Sequence, residues 1–579
     1  MILFKIYIFF LYYEIKLILV NITNYIIFCQ EINLFKYIAA KFKLDNTNSF
    51  FANNYFNNYL NTISKLIKSK KIDTKKKFNN QIIVEGFINQ PEYQINNLII
   101  AKKIGNIFKT NILGILRKGD VKGTSLFKSF GVDKIFYLNE GNFIKRLFYL
   151  LISIKLLKKT KSIKGLLKLK YKNLDIGKCL YEQFLRFEKR PGSTDIEAIY
   201  YIYLMKLLID QEQLFKIYNN KKIKFLIQSE TQYFPLRVSM QIALLKKIKV
   251  ISRIGRGDMT VKIYNSLKES HENRSKISKN IFSKIEKKFN KKYNDSSYKK
   301  IIRNKIKLNI GQDVYQLIDK ENNPKKLFKT RKQMLNYLNL KDQHTVLILA
   351  HEYTDGNLSQ PWNLYENDMF WLVDTLKKIK NIKKVNWIIK EHPSEKIYNA
   401  KVNTFGLFKK IIFSKENIKL FPKDYKVDNF YKFIDTVITS HGTAGYEYPM
   451  HGIPTIICGE TNYSNLGFNI EPKTLSEYYG ILKKINKTKK LNNSKIKKSW
   501  IFNFIYKYLS RENVNFMPVN TSIKSSYKSI DLWKIYLKNL NNNRKSFDLK
   551  NLENSLAYAI KNHKKSLINI NKLKKENFG

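Results

Sequence analysis

The stretch from Thr436 to Ile457 constrains the fold more than any other part of this sequence. A short apolar run at Thr436–Thr439 precedes the glycine-rich turn Gly442–Gly445, a helical segment through Glu447 and a second apolar run at Thr455–Ile457. Apolar runs this short, bounded by glycine and proline, are typical of strands that are buried on both faces. Strand, helix and strand in this order form a parallel unit, so the sequence predicts an α/β fold.

The same alternation of short apolar runs and helical segments occurs on both sides of a charged middle region. It predicts two doubly wound, Rossmann-type domains, an apolar N-terminal helix and a helical C-terminal tail. The boundaries that we expect are 1–50, 51–340, 341–520 and 521–579. The predicted strands outside the first stretch are Gln81–Phe87, Ile112–Leu116, Lys134–Leu138, Ile223–Ile227, a strand that begins at Val250 and Ile251, Thr345–Ala350 and Val385–Ile389.

The charge of the chain limits its partners. It has 106 Lys+Arg against 46 Asp+Glu, a net charge of +60, which attracts anionic lipid and nucleotide phosphate. No zinc knuckle, helix-turn-helix or RNP-like motif accompanies this charge, so we expect no specific nucleic-acid partner. The lysines are spread along a chain that is also rich in Asn and Ile, as coding bias would give. Its three cysteines are far apart, which predicts no disulfide or metal framework.

The segment Met1–Cys29 is strongly apolar and aromatic, and it is interrupted by Lys5, Glu14 and Lys16. Its uninterrupted apolar runs fall short of the roughly 20 residues that a membrane span requires. The pattern therefore favours a helix that lies in the membrane interface, or one that packs on its own domain. A further helix is predicted near Phe35–Phe42.

A charged turn follows the predicted strand Val385–Ile389. In parallel sheets ligands bind at the carboxyl ends of the strands, where Lys390, His392 and Pro393 would lie. The imidazole can donate a hydrogen bond to a phosphate oxygen, the lysine adds charge, and the proline fixes the turn. Structural packing of the histidine is the alternative.

The turn after Thr439 offers a second group of phosphate ligands. Ser440 and Thr443 carry hydroxyls at the start of the predicted helix, where backbone N–H groups and the helix dipole favour an anion. Gly442 and Gly445 flank this start, and His441 could contact the same phosphate. Simple N-capping by the hydroxyls is the alternative.

These two motifs resemble those of a known family. Glu447-Tyr-Pro-Met-His-Gly-Ile-Pro454 resembles the Glu-Ala-x-Ala-x-Gly-x-Pro signature of GT-B glycosyltransferases. Lys390-Glu-His-Pro393 is similar to the His-Pro motif of bacterial sialyl- and Kdo-transferases and of capsule-export enzymes. His351–Gly356, followed by Trp362-Asn-Leu-Tyr and by Trp387 before His392-Pro-Ser394, is similar to capsule or surface-carbohydrate biosynthesis proteins. The resemblance covers roughly residues 340–470 and is weaker over 80–260.

The resemblance implies a GT-B-like arrangement in which two Rossmann-type domains face a cleft. Residues 51–340 would bind the acceptor and 341–520 the nucleotide-sugar donor. Glu447 would hydrogen-bond the ribose of that donor, which by resemblance is a CMP-linked acid such as Kdo. Because a CMP sugar carries one phosphate and one carboxylate, a small basic cluster suffices. No Asp-x-Asp motif is present, so we expect no metal and no cofactor.

The catalytic base is less constrained by these motifs. In this architecture it usually comes from the first domain, where Glu230 is the first candidate and Glu85 the second, both at strand ends. Asp355, with its neighbours His351 and Glu352, is a candidate in the second domain. The alternatives are strand-end carboxylates whose hydrogen bonds are satisfied within the fold, and a plain Asp-Gly turn.

The sequence thus predicts a glycosyltransferase of capsule or surface-polysaccharide biosynthesis, acting on a lipid-linked or glycan acceptor. We expect it in the cytoplasm, peripheral on the inner face of the cytoplasmic membrane, with other capsule-assembly proteins as candidate partners. Three alternatives stay open. They are a nucleotide-sugar 2-epimerase, a teichoic-acid-type polyol-phosphate transferase, and an inactive membrane-bound scaffold of the capsule machinery.

Overall fold

The structure is a computed structural model of the 579-residue chain. It describes residues 2–578 except 31–46, 70–77, 161, 194, 255–259, 274–275, 294–296, 308–325, 357, 359–362, 399, 413–414, 428, 512–528 and 543–548. The helix expected near Phe35–Phe42 lies outside the described residues. The chain divides into two compact units. Unit 1 contains Met1–Gln183, Thr194–Leu267 and Val514–Asn562, and unit 2 contains Phe184–Ser193, Lys268–Asn513 and His563–Gly579.

Unit 1 contains a six-stranded sheet and a small hairpin. Its strands are β1 (Gln81–Glu85), β2 (Asn111–Arg117), β3 (Lys134–Leu138), β4 (Lys170–Tyr171), β5 (Leu174–Asp175), β6 (Ile223–Gln228), β7 (Lys249–Ile254) and β8 (Thr260–Tyr264). The order in the large sheet is β3-β2-β1-β6-β7-β8, parallel except for β8, and β4 pairs with β5. The chain thus winds outward from β1 in one direction and from β6 in the other.

Unit 2 contains a five-stranded sheet in which every pairing is parallel. Its strands are β9 (Thr345–Leu349), β10 (Asn386–Lys390), β11 (Ile418–Leu420), β12 (Thr436–Thr439) and β13 (Thr455–Ile457). The order is β11-β10-β9-β12-β13, so the winding direction reverses between β9 and β12. Open α/β sheets bind ligands at such a reversal, beyond the carboxyl ends of the strands.

Helices connect these strands. In chain order they are α1 (Ile2–Gln30), α2 (Thr47–Ser69), α3 (Pro91–Phe108), α4 (Val121–Ser129), α5 (Phe143–Lys158), α6 (Ile163–Leu167), α7 (Gly177–Glu188), α8 (Ala198–Tyr218), α9 (Leu236–Leu245), α10 (Lys279–Lys292), α11 (Tyr298–Lys307), α12 (Arg331–Leu338), α13 (Asp368–Ile379), α14 (Glu395–Tyr398), α15 (Thr404–Ile412), α16 (Ala444–Glu447), α17 (Leu475–Lys483), α18 (Asn493–Phe504), α19 (Ile530–Asn542), α20 (Lys550–Lys561) and α21 (Ile570–Lys575). Within the described residues, no helix combines the length and the apolar character needed to cross a membrane.

Both faces of the unit 2 sheet are buried, as its apolar strands require. Val346 and Ile348 of β9 pack into one hydrophobic cluster with Trp371 and Trp387, whereas the intervening Leu347 packs into a second cluster on the opposite face. Alternation of this kind follows from the two-residue period of a strand. Polar side chains are therefore left at the strand ends and in the loops beyond them.

The two doubly wound sheets confirm the predicted fold class of two Rossmann-like domains. The strands that were predicted follow their apolar runs within a residue or two. The strands β4, β5, β8 and β11 were not predicted. β11 has only three residues, Ile418–Leu420, and its neighbours offer no turn signal strong enough to mark it.

The units divide the chain differently from the expected boundaries. The segment Lys268–Asn513 belongs to unit 2, because Phe289 of α10 and Ile302 of α11 are buried in one cluster with Trp500 of α18. The C-terminal tail is also shared: α19 and α20 belong to unit 1, and α21 belongs to unit 2. Both differences arise from packing between segments that are far apart in the sequence.

Candidate functional site

Three histidines meet beyond the carboxyl edge of the unit 2 sheet. His351, His392 and His441 each lie two residues past the end of a strand, after β9, β10 and β12 respectively. These strands are neighbours in the sheet, which brings the loops together. The ring centroids of His351 and His441 are 4.0 Å apart, and those of His351 and His392 are 5.4 Å apart. The cluster lies at the reversal point between β9 and β12.

A buried carboxylate completes this cluster. Asp368 is the first residue of α13 and is 2% exposed. Its Oδ2 lies 3.3 Å from His351 Nδ1, its Oδ1 lies 3.6 Å from His441 Nδ1, and Ser440 Oγ donates a hydrogen bond to Oδ1. Sequence reasoning did not single out Asp368, because no local motif distinguishes it from any other acidic residue in the first turn of a helix.

Burial and neighbouring charge keep two of the imidazoles neutral. Desolvation lowers the pKa of His392 well below its usual value, and His351, Lys390 and His441 lower it further. Desolvation also lowers the pKa of His441 to about 4, although Asp368 opposes this. At neutral pH each of these rings therefore has one N–H donor and one nitrogen acceptor.

The turn after β10 fixes which nitrogen of His392 donates. The backbone N–H of Ser394 donates to His392 Nδ1 at 3.2 Å, so the proton of the neutral ring lies on Nε2. The backbone N–H of His392 donates in turn to Glu395 Oε1 at 3.2 Å. Pro393 sits inside this turn, as predicted, and Lys390 ends the strand that leads into it. The result is an oriented imidazole N–H beside a lysine.

The glycine-rich turn after β12 begins where it was expected, but its helix is short. The helix α16 has four residues, Ala444–Glu447, and Thr443 at its N-cap makes no side-chain capping bond. Thr443 is exposed, whereas Ser440 is buried against Asp368. Simple N-capping by these hydroxyls is therefore not what the structure shows.

Gly445 has a packing role that the sequence did not reveal. A Cβ at this position would lie 2.1 Å from Tyr463 Oη and 2.5 Å from the adjacent ring carbon. Tyr463 is 1% exposed, and its hydroxyl donates to the carbonyl oxygen of Gly442. Glu447 is partly buried. Desolvation is the main cause that raises the pKa of Tyr463, and the charge of Glu447 raises it further. Glu447 thus lies near the tyrosine that supports the turn.

The candidate base in unit 2 has partners of its own. Asp355 Oδ2 accepts a hydrogen bond from Tyr398 Oη at 2.8 Å, and its Oδ1 lies 3.6 Å from Arg186 Nη1. The neighbouring Glu352 is 2% exposed, and its Oε1 accepts from both the backbone and the hydroxyl of Thr354. Burial raises the pKa of Glu352.

The two candidates in unit 1 differ from each other. Glu85 is fully buried, and its Oε1 accepts hydrogen bonds from Asn97 Nδ2 and from the backbone N–H and Oγ of Ser229. Its Oε2 accepts from the N–H of Phe87. This geometry favours the structural alternative for Glu85, because an acceptor hydroxyl has no access to it. Glu230 is only partly buried and stays the first candidate in unit 1.

Comparison with known proteins gives structural similarity without sequence matches. No family model and no curated protein sequence matches the chain. The chain is similar to the solved structure of Thermosulfurimonas dismutans KpsC, a beta Kdo 2,4 transferase, with 12% identity and a TM-score of 0.29 over 54% of this chain and 87% of that chain.

Two further solved structures are similar to larger shares of the chain. One is the UDP-GlcNAc 2-epimerase of Neisseria meningitidis bound to UDP-GlcNAc, with 11% identity and a TM-score of 0.21 over 80% of this chain and 100% of that chain. The other is Acinetobacter baumannii MurG, with 8% identity and a TM-score of 0.24 over 73% of this chain and 94% of that chain. The mixed α/β fold with parallel sheets is seen directly in both units.

Proposed function

We propose that this chain is a glycosyltransferase of capsule or surface-polysaccharide assembly that binds a nucleotide-sugar donor at the carboxyl edge of the unit 2 sheet. One observation carries the proposal: His351, His392 and His441 converge beside the reversal between β9 and β12. Ligands of doubly wound sheets bind at this place. The GT-B-like signature ending at Pro454 follows β12 directly and supports the same site.

The charges of the site suit a donor with a single phosphate. The pKa values of His392 and His441 are lowered by burial, so these rings donate hydrogen bonds without adding full charge. Lys390 then supplies the cation beside the oriented N–H of His392. A CMP-linked sugar acid such as Kdo presents one phosphate and one carboxylate, which matches this balance better than a diphosphate does.

The chain's own residues would act on the two ends of the scissile bond. Lys390 and His392 would stabilise the negative charge that develops on the departing nucleotide phosphate. Glu447 would hydrogen-bond the ribose, as the GT-B resemblance implies. The acceptor hydroxyl would lose its proton to a carboxylate, for which Glu230 and Asp355 remain the candidates.

Thermal-shift measurements with CMP, CDP, UDP and GDP test the donor assignment. We expect the cytidine nucleotide to stabilise the protein most, by about 2.7 kcal/mol at one hundred times its dissociation constant. His392→Ala should weaken this binding about tenfold or more, since a hydrogen bond to a charged group contributes roughly 1.5–3 kcal/mol. The matched control is His451→Ala, because His451 stacks on Tyr431 with ring centroids 3.6 Å apart.

Glu447→Gln gives a second test of the same binding site. It should also weaken the nucleotide about tenfold, and the two substitutions should be non-additive if both side chains contact one ligand. Undiminished turnover by Glu447→Gln would remove the ribose assignment. Conversion of a UDP-sugar to its 2-epimer without an acceptor would instead assign the epimerase alternative, and unchanged function of His392→Ala would favour a scaffold.

We further propose that unit 1 lies against an anionic membrane surface, where a lipid-linked acceptor would be met. The helix α1 packs Ile6, Phe10 and Tyr13 inward and exposes its other face. The rings of Phe10 and Phe143 are 5.9 Å apart, so α5 continues this apolar surface. The most exposed large apolar side chains of the surface that α1 and α5 form are Phe4, Tyr7, Tyr12, Ile15, Ile18, Leu19, Phe143, Ile144, Phe148 and Leu151.

An apolar face on a chain of net charge +60 has the composition of an interface-lying membrane anchor. The proposed location is therefore the inner face of the cytoplasmic membrane. Contacts with other capsule-assembly proteins belong to the same proposal and are best sought by crosslinking at the membrane.

A further inference from the structure

Among the described residues, His351, Asp368 and His441 offer one ligand atom each, and these atoms all lie within 4.8 Å of one another. We infer that these three side chains bind a divalent transition-metal ion of the zinc class. The binding of the ion does not depend on the proposed function. In the proposed glycosyltransferase reaction, the ion would hold the donor phosphate. His441 would then act by binding the ion and not by a direct hydrogen bond to the phosphate.

The distances fit such an ion. Zinc bonds to imidazole nitrogen and carboxylate oxygen are about 2.0–2.2 Å long, so tetrahedral geometry places neighbouring ligand atoms about 3.3–3.6 Å apart. The Nδ1 atom of His351 lies 3.3 Å from one Asp368 oxygen, and the Nδ1 atom of His441 lies 3.6 Å from the other. Because these distances run to different carboxylate oxygens, an ion bound by both nitrogens and one oxygen requires the side chains to move closer within the 4.8 Å cluster.

The ligand types select the class of ion and the kind of site. Two imidazoles and a carboxylate suit zinc, cobalt or iron, whereas magnesium and calcium prefer oxygen ligands alone. Three protein ligands also leave a coordination position for water or substrate. Asp368 is 2% and the His441 side chain 6% exposed, but the His351 side chain is 18% exposed, which leaves a path for entry.

The surroundings of the three ligands hold them in place. Ser440 Oγ donates to Asp368 Oδ1, as residues around metal sites commonly do to ligating carboxylates. The side chain of Asn367 accepts from the N–H of Phe370 and so fixes the first turn of α13, where Asp368 lies. The competing interpretation is a hydrogen-bonded relay, in which Asp368 accepts from Ser440 Oγ, and Ser440 Oγ lies 2.9 Å from His441 Nδ1.

Zinc titration of the full chain in nucleotide-free buffer, followed by competition with a chromogenic chelator, separates these interpretations. We expect one ion per chain. His351→Ala and Asp368→Asn should each weaken binding by at least about 100-fold, and Ser440→Ala by about tenfold, since outer-shell partners affect metal affinity 10–100-fold. His563→Asn is the matched control, because His563 is exposed and has a positive φ that asparagine tolerates.

His392→Ala distinguishes this inference from the proposed function. It should keep the zinc affinity of the wild type while losing the nucleotide-dependent thermal shift. Asp368→Asn preserves side-chain volume, so a loss of zinc binding would not reflect a cavity. In the unsubstituted protein, the visible absorption of bound Co²⁺ reports imidazole ligation. Three results would overturn the metal site and leave the relay. They are the absence of saturable zinc binding, zinc binding that survives His351→Ala, and zinc binding that His563→Asn abolishes.

Discussion

Replacing Gly445 by alanine tests why the turn after β12 contains a glycine. The added Cβ would lie 2.1 Å from Tyr463 Oη, a separation that real Cβ atoms essentially never show. Tyr463 is 1% exposed, so its ring has little room to move away. The substitution should therefore displace the tyrosine and break the hydrogen bond from its hydroxyl to the Gly442 carbonyl.

The destabilisation follows from two contributions. Overpacking of a well-packed core costs about 1–3 kcal/mol, and a lost neutral hydrogen bond costs about 0.5–1.5 kcal/mol. Together they predict a loss of about 2–4 kcal/mol in the stability of unit 2. The double variant Gly445→Ala/Tyr463→Ala should lose at least about 1 kcal/mol less than the sum of the single variants, because the clash is then absent.

Hydrogen exchange measured on peptides from residues 436–457 suits this test, since a chain with two units need not unfold in one step. A loss of 2–4 kcal/mol should raise the exchange of protected amides there roughly 30-fold or more. The reasoning fails if Gly445→Ala keeps normal protection but loses nucleotide binding. That result would mean that the glycine serves the approach of a phosphate, as the sequence alone suggested.

Two more perturbations test other parts of the structure. Burial alone would raise the pKa of Glu576, but its hydrogen bonds with Lys305, Tyr293 and Lys292 outweigh burial and lower the pKa. Glu576→Gln removes the charge that these partners stabilise, so it should increase amide hydrogen exchange in α21 at pH 7. Because the folded pKa is lowered, this stabilisation is present above about pH 4.3 and disappears as the pH falls through the folded pKa, so wild type and variant should converge in acid. Separately, Ile144→Glu should reduce binding to anionic liposomes several-fold, whereas a glutamate at an exposed apolar position of unit 2 should leave it unchanged; equal losses would contradict an α1–α5 membrane face.

The sequence predicted the fold well because the unit 2 sheet is parallel and buried on both faces, and the unit 1 sheet is parallel apart from β8. Strands covered on both faces are nearly continuous apolar runs, and the glycines and prolines at their ends mark the turns. Val437 and Ile438 on β12, for example, lie on opposite faces and are both fully buried. Such a strand is recognisable even when only four residues long.

The site was only partly predictable for a related reason. His392 was found because its motif lies within one turn, and His441 because it precedes a glycine-rich turn. Asp368 was missed, and it joins His351 and His441 only through the pairing of β9 with β12 and the position of α13. Convergence of separate loops depends on strand order, which spacing along the chain does not encode.

The expectation of metal independence was limited by the same dependence on strand order. That expectation followed from the lack of an Asp-x-Asp motif, which is a test for ligands contributed by one segment. The three side chains with metal-ligand geometry come from three segments, at residues 351, 368 and 441. A linear motif search therefore does not decide whether this edge of the sheet binds an ion.

The distribution of charge suggests that the excess of basic residues acts at a distance from the site. In the cluster itself, the negative charge of the Asp368 carboxylate opposes the positive charge of Lys390. Burial also lowers the pKa values of His392 and His441. A net charge of +60 must therefore be carried mainly elsewhere on the chain. Such charge steers anionic partners over a Debye length of about 8 Å at physiological salt. Raising the salt should consequently slow the encounter with membrane and nucleotide, while the contacts of a bound nucleotide with His392 should be affected much less.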